Sequence, residues 1–296
     1  MSPADPLVSI LTPSFNQALW LKQNLQSVAG QSYPHVQHIV MDGGSTDGSV
    51  DILRSAGSSV MWRSEADDGQ SDALNRAFQL SSGEIIGWIN SDDAYFGSQV
   101  VQRVVEFLKV RPAVDVVYGH GALVNSDGLV IQMMWVPPFN YSLLRTYNFI
   151  IQPTVFIRRS ALGTQLANPA YDYTMDRELW LRLARNHSRF QRLPIVVAID
   201  RHHAFRKSYL RADLAHIDTK RLAGTYGVTS GRMNRVSVRL LAFTYRLLGL
   251  GLVTAPKGRH LVFGGVTDST WRLGLRQAFR FRRMMPIGSN QPGQAD

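Results

Sequence analysis

The chain has no cysteine. That excludes a disulfide framework, thiolate catalysis and any Cys-based metal site, and it fits a cytosolic compartment. Charged residues make up only 18% of its 296 positions, and the apolar stretches of its last third are broken by Arg246 and Pro256. Neither stretch reaches the ~20 residues of a membrane span. Met1 to Pro6 lacks the basic and apolar blocks of a signal peptide, so export is not expected. There is no Gly-Lys-Ser/Thr, which excludes a P-loop, and Gly43, Gly44 and Gly48 do not have the spacing of a Rossmann fingerprint. Acidic residues are scarce in one region only. Residues 201–296 hold 4 Asp+Glu against 17 Lys+Arg, whereas residues 1–200 hold 18 against 15. The formal charge of +10 therefore belongs to the C-terminal third and points to an anionic surface there.

A hydrophobic content of 45% over this length is enough for a large core. The stretch around which the chain is organised runs from Gly83 to Asp93. Ile85, Ile86, Trp88 and Ile89 read as a strand buried on both faces, and it ends in Asp92 and Asp93. Before it, Leu7–Thr12, His38–Met41 and Val60–Trp62 read as strands. Helices follow them, with apolar stripes at Trp20, Leu21, Leu25 and Val28, then at Ile52 and Leu53, and then at Ala73, Leu74, Ala77 and Phe78. Pro13 is expected to stop the first strand and Asn16 to cap the first helix. Val100, Val101, Val104, Val105 and Leu108 line another helix. This alternation predicts a parallel sheet with helices on both faces. Beyond residue 112 the pattern changes. Ser126-Asp127-Gly128 between two apolar runs signals a hairpin, Thr154–Ile157 and Ile195–Ile199 read as strands, and a helix begins near Asp176.

Four strand ends carry acids: Asp42, Asp68 with Asp72, Asp92 with Asp93, and Asp176. Each has an ordinary reading alone, Asp42 in a turn, Asp72 and Asp176 as acids favoured at helix starts. Together they line one edge of one sheet, the edge at which open α/β sheets bind ligands. Two adjacent acids there repel unless a cation, or a ligand that brings one, lies between them.

Several stretches, in this order and spacing, resemble the family 2 glycosyltransferases. They are Val8–Asn16, Asp42-Gly43-Gly44-Ser45-Thr46-Asp47-Gly48, Asp68–Asn75, Gly83–Asp93, Gln152–Phe156 and Asp176–Leu183. The resemblance covers about residues 7–210 and implies a GT-A type α/β fold, a mostly parallel central sheet flanked by helices. It also implies an inverting enzyme that moves a sugar from a nucleoside-diphosphate sugar, UDP-linked, to a hydroxyl, with a divalent cation, Mn²⁺ or Mg²⁺. By the same resemblance Asp93 holds the metal, and Asp92 lies nearer the ribose or sugar hydroxyls. Asp42 reads the base, Thr12 and Pro13 frame it through backbone contacts, and Asp72 closes over the nucleotide and donor. Asp176 matches the general base. His203, four residues before Lys207, matches a histidine that completes the metal or diphosphate site, with His202 as the close alternative. Met175 replaces an acid that often precedes the base, which implies a lower pKa for Asp176.

The expected organisation is a catalytic domain over 1–210, with a nucleotide-sugar half to about 112 and an acceptor half from 113, then a basic helical extension over 211–296. In that extension Arg232, Arg235, Arg239 and Arg246 fall within an arc of about 60°, and Arg272, Arg276, Arg280 and Arg283 within about 80°. Basic stripes beside Leu and aromatic residues such as Trp271, Leu273, Phe281 and Met284 fit helices lying on an anionic membrane surface, or a solvated face packed on the catalytic domain. Nucleic acid is not expected as a partner, because no recognised module accompanies the charge. The resulting expectation is a cytoplasmic enzyme, peripheral on the inner face of the membrane, with a glycan or lipid-linked acceptor. A sugar nucleotidyltransferase would carry a glycine-rich basic loop where Pro13-Ser14-Phe15-Asn16 stands. A non-catalytic nucleotide-sugar scaffold is the remaining alternative.

Overall fold

The structure is a computed structural model, and it describes residues 5–207 and 213–229. The arginine stripes of the basic extension lie outside the described residues. A mixed sheet runs through the molecule in the order β3-β2-β1-β4-β8-β6-β9-β5, with β7 pairing the later part of β6 off that path. Its first half is parallel, as the alternation predicts: β1 (Val8–Ser14) lies between β2 (Val36–Asp42) and β4 (Ile85–Trp88), and β3 (Met61–Ser64) adds to β2. Three helices alternate with these strands: α1 (Ala18–Ala29), α2 (Ser49–Ser55) and α3 (Gln70–Leu80). The second half is not parallel throughout. β8 (Phe156–Arg158) runs antiparallel between β4 and β6 (Val116–Val124). β9 (Phe190–Arg201) returns parallel to β6, and the short β5 (Ala94–Tyr95) pairs antiparallel with it. β6 and β7 (Val130–Met134) form the hairpin announced by Ser126-Asp127-Gly128.

The continuous apolar run of β4 is explained by its two faces. Ile86 and Trp88 join one core with Leu11, Ile39, Leu74, Phe78 and Trp180. Ile85 joins the opposite core with Ile10, Val101, Val104 and Phe156, below α4 (Val100–Lys109). Side chains alternate across a strand, so a strand covered on both faces must be apolar at every position.

Two local expectations are corrected. Pro13 does not end β1; it sits within it, paired with Met41. β4 pairs with β1 only as far as Leu11, so the missing proline N–H falls where no neighbouring ladder needs it. Asn16 does not cap α1, because its own φ is 51°. The orphan N–H groups of Gln17 and Ala18 are instead taken by Ser49 Oγ and Asp47 Oδ2 across the loop.

α6 (Met175–Arg185) follows the short α5 (Tyr141–Thr146), and α7 (Leu214–Tyr226) packs on it. Leu222 and Val228 enter the core beside Trp180, and Tyr226 donates its hydroxyl to the buried Glu178 at 2.7 Å. Asp218 of α7 accepts the backbone N–H groups of Tyr173 and Thr174 at 2.7 and 3.0 Å, and so caps α6 from outside. A boundary at residue 210 would separate these partners. Among the described residues no helix is long and apolar enough to cross a membrane.

Candidate active site

The chain leaves β4 at Trp88 and turns through Asn90, Ser91, Asp92 and Asp93 at the carboxyl end of the sheet. The two adjacent acids point opposite ways. Asp93, expected to hold the metal, faces inward: Oδ1 accepts the Arg201 N–H at 3.0 Å and Oδ2 accepts from Asn90 Nδ2. It is 4% exposed, and burial, helped by the charges of Asp92 and Asp200, pushes its pKa well up. Asp92 faces His203, whose Nε2 lies 2.8 Å from its Oδ2. The alternation of an extended chain leaving β9 distinguishes the two histidines. His202 is exposed, while His203 is buried with its ring 3.9 Å from that of Trp20. Its Nδ1 has no hydrogen-bond partner among the described residues.

Several residues that shape this corner were not legible in the sequence. Arg201 is buried in spite of its charge, donating to the carbonyls of Asp92, Asn125 and Ser126 and to Gln23 Oε1. It fastens the end of β9 to the acid turn and to the hairpin tip. Asn90 accepts from Gln70 Nε2 and Trp88 Nε1 and donates to Gln152 Oε1, which fixes the turn from three elements. Asp200 pairs with Arg206 at 2.7 Å. Burial raises its pKa to about 6; Arg206 opposes the rise, Asp92 and Asp176 add to it, and His203 opposes it.

Asp176 sits in the first turn of α6 and accepts from Asn148 Nδ2 at 2.9 Å. Its pKa is raised by burial, against the N–H of Arg177 and the Asn148 bond. Met175 beside it is buried core and adds no charge, so burial alone sets the upward direction. Lys207 reaches across to Asp172 at 2.5 Å and to Gln70 Oε1 at 3.2 Å.

At the ends of β1 and β2 the remaining candidates gather. Thr12 is fully buried, its hydroxyl 3.0 Å from His38 Nε2, and Pro13 is buried beside it, so neither side chain meets solvent. Asp42 is 1% exposed. Its two oxygens take the Ser45 N–H, the Ser45 hydroxyl and the Ser64 hydroxyl at 2.6–2.9 Å. Asp72 pairs with Arg76 at 2.7 Å and accepts the Asp68 N–H at the start of α3. Next to Asp42, the carboxylate of Asp67 stands over Gly43.

Among the described residues no three His, Asp or Glu side chains form a metal cage. The pair Asp92 and His203 offers one carboxylate oxygen and one imidazole nitrogen. That donor set fits a divalent cation whose other positions are filled by a ligand's phosphate oxygens and water, Mn²⁺ more readily than Mg²⁺.

A family model described as "Glycosyl transferase family 2" matches residues 9–165, more than half of the chain. An uncharacterized glycosyltransferase of Mycobacterium tuberculosis is 36% identical over 118 residues, 39% of this chain and 45% of that one. A PGL/p-HBAD biosynthesis glycosyltransferase of Mycobacterium bovis is 28% identical over 165 residues, 54% and 62% of the two chains. The match thus spans about half of the length of these curated relatives. Among solved structures, S. aureus TarS 1-349 in complex with UDP-GlcNAc superposes with a TM-score of 0.56 at 19% identity, covering 67% of this chain and 59% of that one. The mannosyltransferase PcManGT from Pyrobaculum calidifontis, in complex with GDP-Man and Mn²⁺, gives 0.55 at 17%, covering 87% and 77%. The likeness to both is one of fold, the mixed α/β GT-A architecture.

Proposed function

The chain belongs to glycosyl transferase family 2, and from that premise we propose that it transfers a sugar from a UDP-sugar to an acceptor hydroxyl with inversion. The observation that carries this reading is the meeting of Asp92 and His203 at 2.8 Å at the end of β4. Asp92 and His203 would hold the divalent cation, and the metal-holding role would pass to Asp92 because the oxygens of Asp93 are already taken. When bound, such a cation offsets the negative charge that builds on the departing diphosphate. Lys207, tied to Gln70 and Asp172, adds a positive charge on the same side.

Asp176 takes the proton of the acceptor hydroxyl. A carboxylate whose pKa is raised by burial is a stronger base than an exposed one, and Asn148 fixes which oxygen remains for the acceptor. A single base opposite the leaving group suits one in-line displacement, hence inversion. The acceptor is a glycan or lipid-linked glycan, and residues 230–296 bring the enzyme to the anionic inner face of a membrane. Sugar nucleotides offered with Mn²⁺ or Mg²⁺ and no acceptor should be hydrolysed slowly. In Asp176→Asn, donor binding should persist while transfer falls by about 10²–10⁴. Near wild-type transfer would remove Asp176 from the mechanism, and loss of donor binding would make it a structural residue of α6.

A further inference from the structure

Asp42 matches the position expected to read the nucleobase, yet its carboxylate is closed to a ligand. It is buried, and Ser45 and Ser64 supply three donors to its two oxygens. A second acid stands at the same corner, from a different loop. Asp67, between β3 and α3, is half-buried, and its Oδ2 lies 2.9 Å from where a Cβ would stand on residue 43. Because residue 43 is glycine, that carboxylate can occupy the space above the end of β2. Its Oδ1 accepts the Gly69 N–H at 2.9 Å, while Oδ2 has no hydrogen-bond partner among the described residues. Burial, with the charges of Asp72 and Asp42, raises its pKa, and the Gly69 N–H and the charge of Arg76 work against them. A carboxylate so placed gains from one further donor.

The sheet order says which donor that is. The Asp92–His203 pair lies at the end of β4, and β1 and β2 follow it in turn. Neighbouring strands are about 4.8 Å apart, so the end of β2 is about 10 Å from the end of β4. A nucleoside whose diphosphate is held at β4 reaches across β1 and sets its base at Gly43 and Asp67.

Resting on the reading of this edge as a donor site, we propose that Asp67, and not Asp42, selects the base, its unpaired oxygen accepting the imide N–H of uracil. One open oxygen suits a single N–H between two carbonyls. Guanine presents two adjacent donors, for which both oxygens would be needed, and cytosine presents an unprotonated ring nitrogen that the carboxylate repels.

The test is calorimetry on the full chain with Mn²⁺, using UDP, CDP, GDP and inorganic pyrophosphate. The wild type should bind UDP more tightly than CDP or GDP. Asp67→Ala should lose about tenfold to a hundredfold in UDP affinity, the range of a hydrogen bond to a charged group, with pyrophosphate affinity unchanged. The exchange Gly43→Asp with Asp67→Gly returns a carboxylate from the β2 side and should recover UDP binding; it also carries the test if Asp67→Ala does not fold. Unchanged UDP affinity in Asp67→Ala, or an equal loss for UDP and pyrophosphate, would overturn the assignment. Pyrophosphate binding with no preference for UDP would sink the base assignment alone. Failure of the wild type to bind either would sink the donor-site reading with it.

Discussion

Asp92 and Asp93 are neighbours in sequence with opposite surroundings, one facing His203 and one taken up by Arg201 and Asn90. Asp92→Asn should therefore abolish the gain in UDP affinity that Mn²⁺ gives, with little change in stability. Asp93→Asn should keep that gain and cost about 1 kcal/mol of stability, since one inward hydrogen bond is weakened. Titration with and without Mn²⁺, together with urea unfolding of both variants, separates the two; the reverse pattern would return the metal to Asp93. Spacing alone could not make this distinction. The chain leaves the period-two geometry of β4 just before these residues, so their directions are set by the tertiary contacts of the turn. The acids of the site edge were legible as a set, because they end strands. Asp67 and Arg201 were not, because each acquires its role from a residue far away in sequence, Gly43 and the acid turn.

At the scale of elements, the strands of the first half were legible because burial on both faces demands unbroken apolar runs. The second half was less so: β8 was legible as a strand but not its antiparallel direction, and β5 is only two residues long, too short to set a period. The β1–β2 pair also carries a titration. His38 of β2 is buried against Thr12, and burial lowers its pKa to about 3. The folded state thus binds fewer protons than the unfolded chain between about pH 3 and pH 6.5, and stability falls as pH falls through that window. Each pH unit costs about 1.4 kcal/mol. His38→Gln can keep the bond to Thr12 without titrating. Between pH 7 and pH 5 the wild type should lose about 2 kcal/mol more than this variant in urea unfolding. Parallel losses would mean that His38 is hydrated and titrates normally.

For the whole molecule, α7 and Val228 pack on the described core, so its contacts run past residue 210, where the family resemblance ends. The sequence hid this because the bonds of Asp218 and Tyr226 run to the backbone before α6 and to a buried glutamate, not to a recognisable motif. A chain ending after residue 229 should fold and hydrolyse a soluble donor, and it should no longer bind anionic vesicles. A chain ending after 210 loses the Asp218 cap and the burial of Leu222 and Val228, on the order of 5 kcal/mol together. That is a large part of the usual stability of a domain. Thermal unfolding and vesicle sedimentation of the two compare them directly; equal stability would restore the earlier boundary.

The stacking of Trp20 on His203 gives the site a light-emitting neighbour. Indole emission is sensitive to the charge and orientation of an imidazole in van der Waals contact. A Mg²⁺–UDP complex that engages His203 should therefore alter tryptophan fluorescence on binding, with no label attached. Trp20→Phe should remove that signal while the other five tryptophans of the chain stay in place. A change that survives in the variant would have its origin elsewhere. The same contact makes the arrival and departure of the leaving diphosphate something that can be timed in a stopped-flow cell, one turnover at a time.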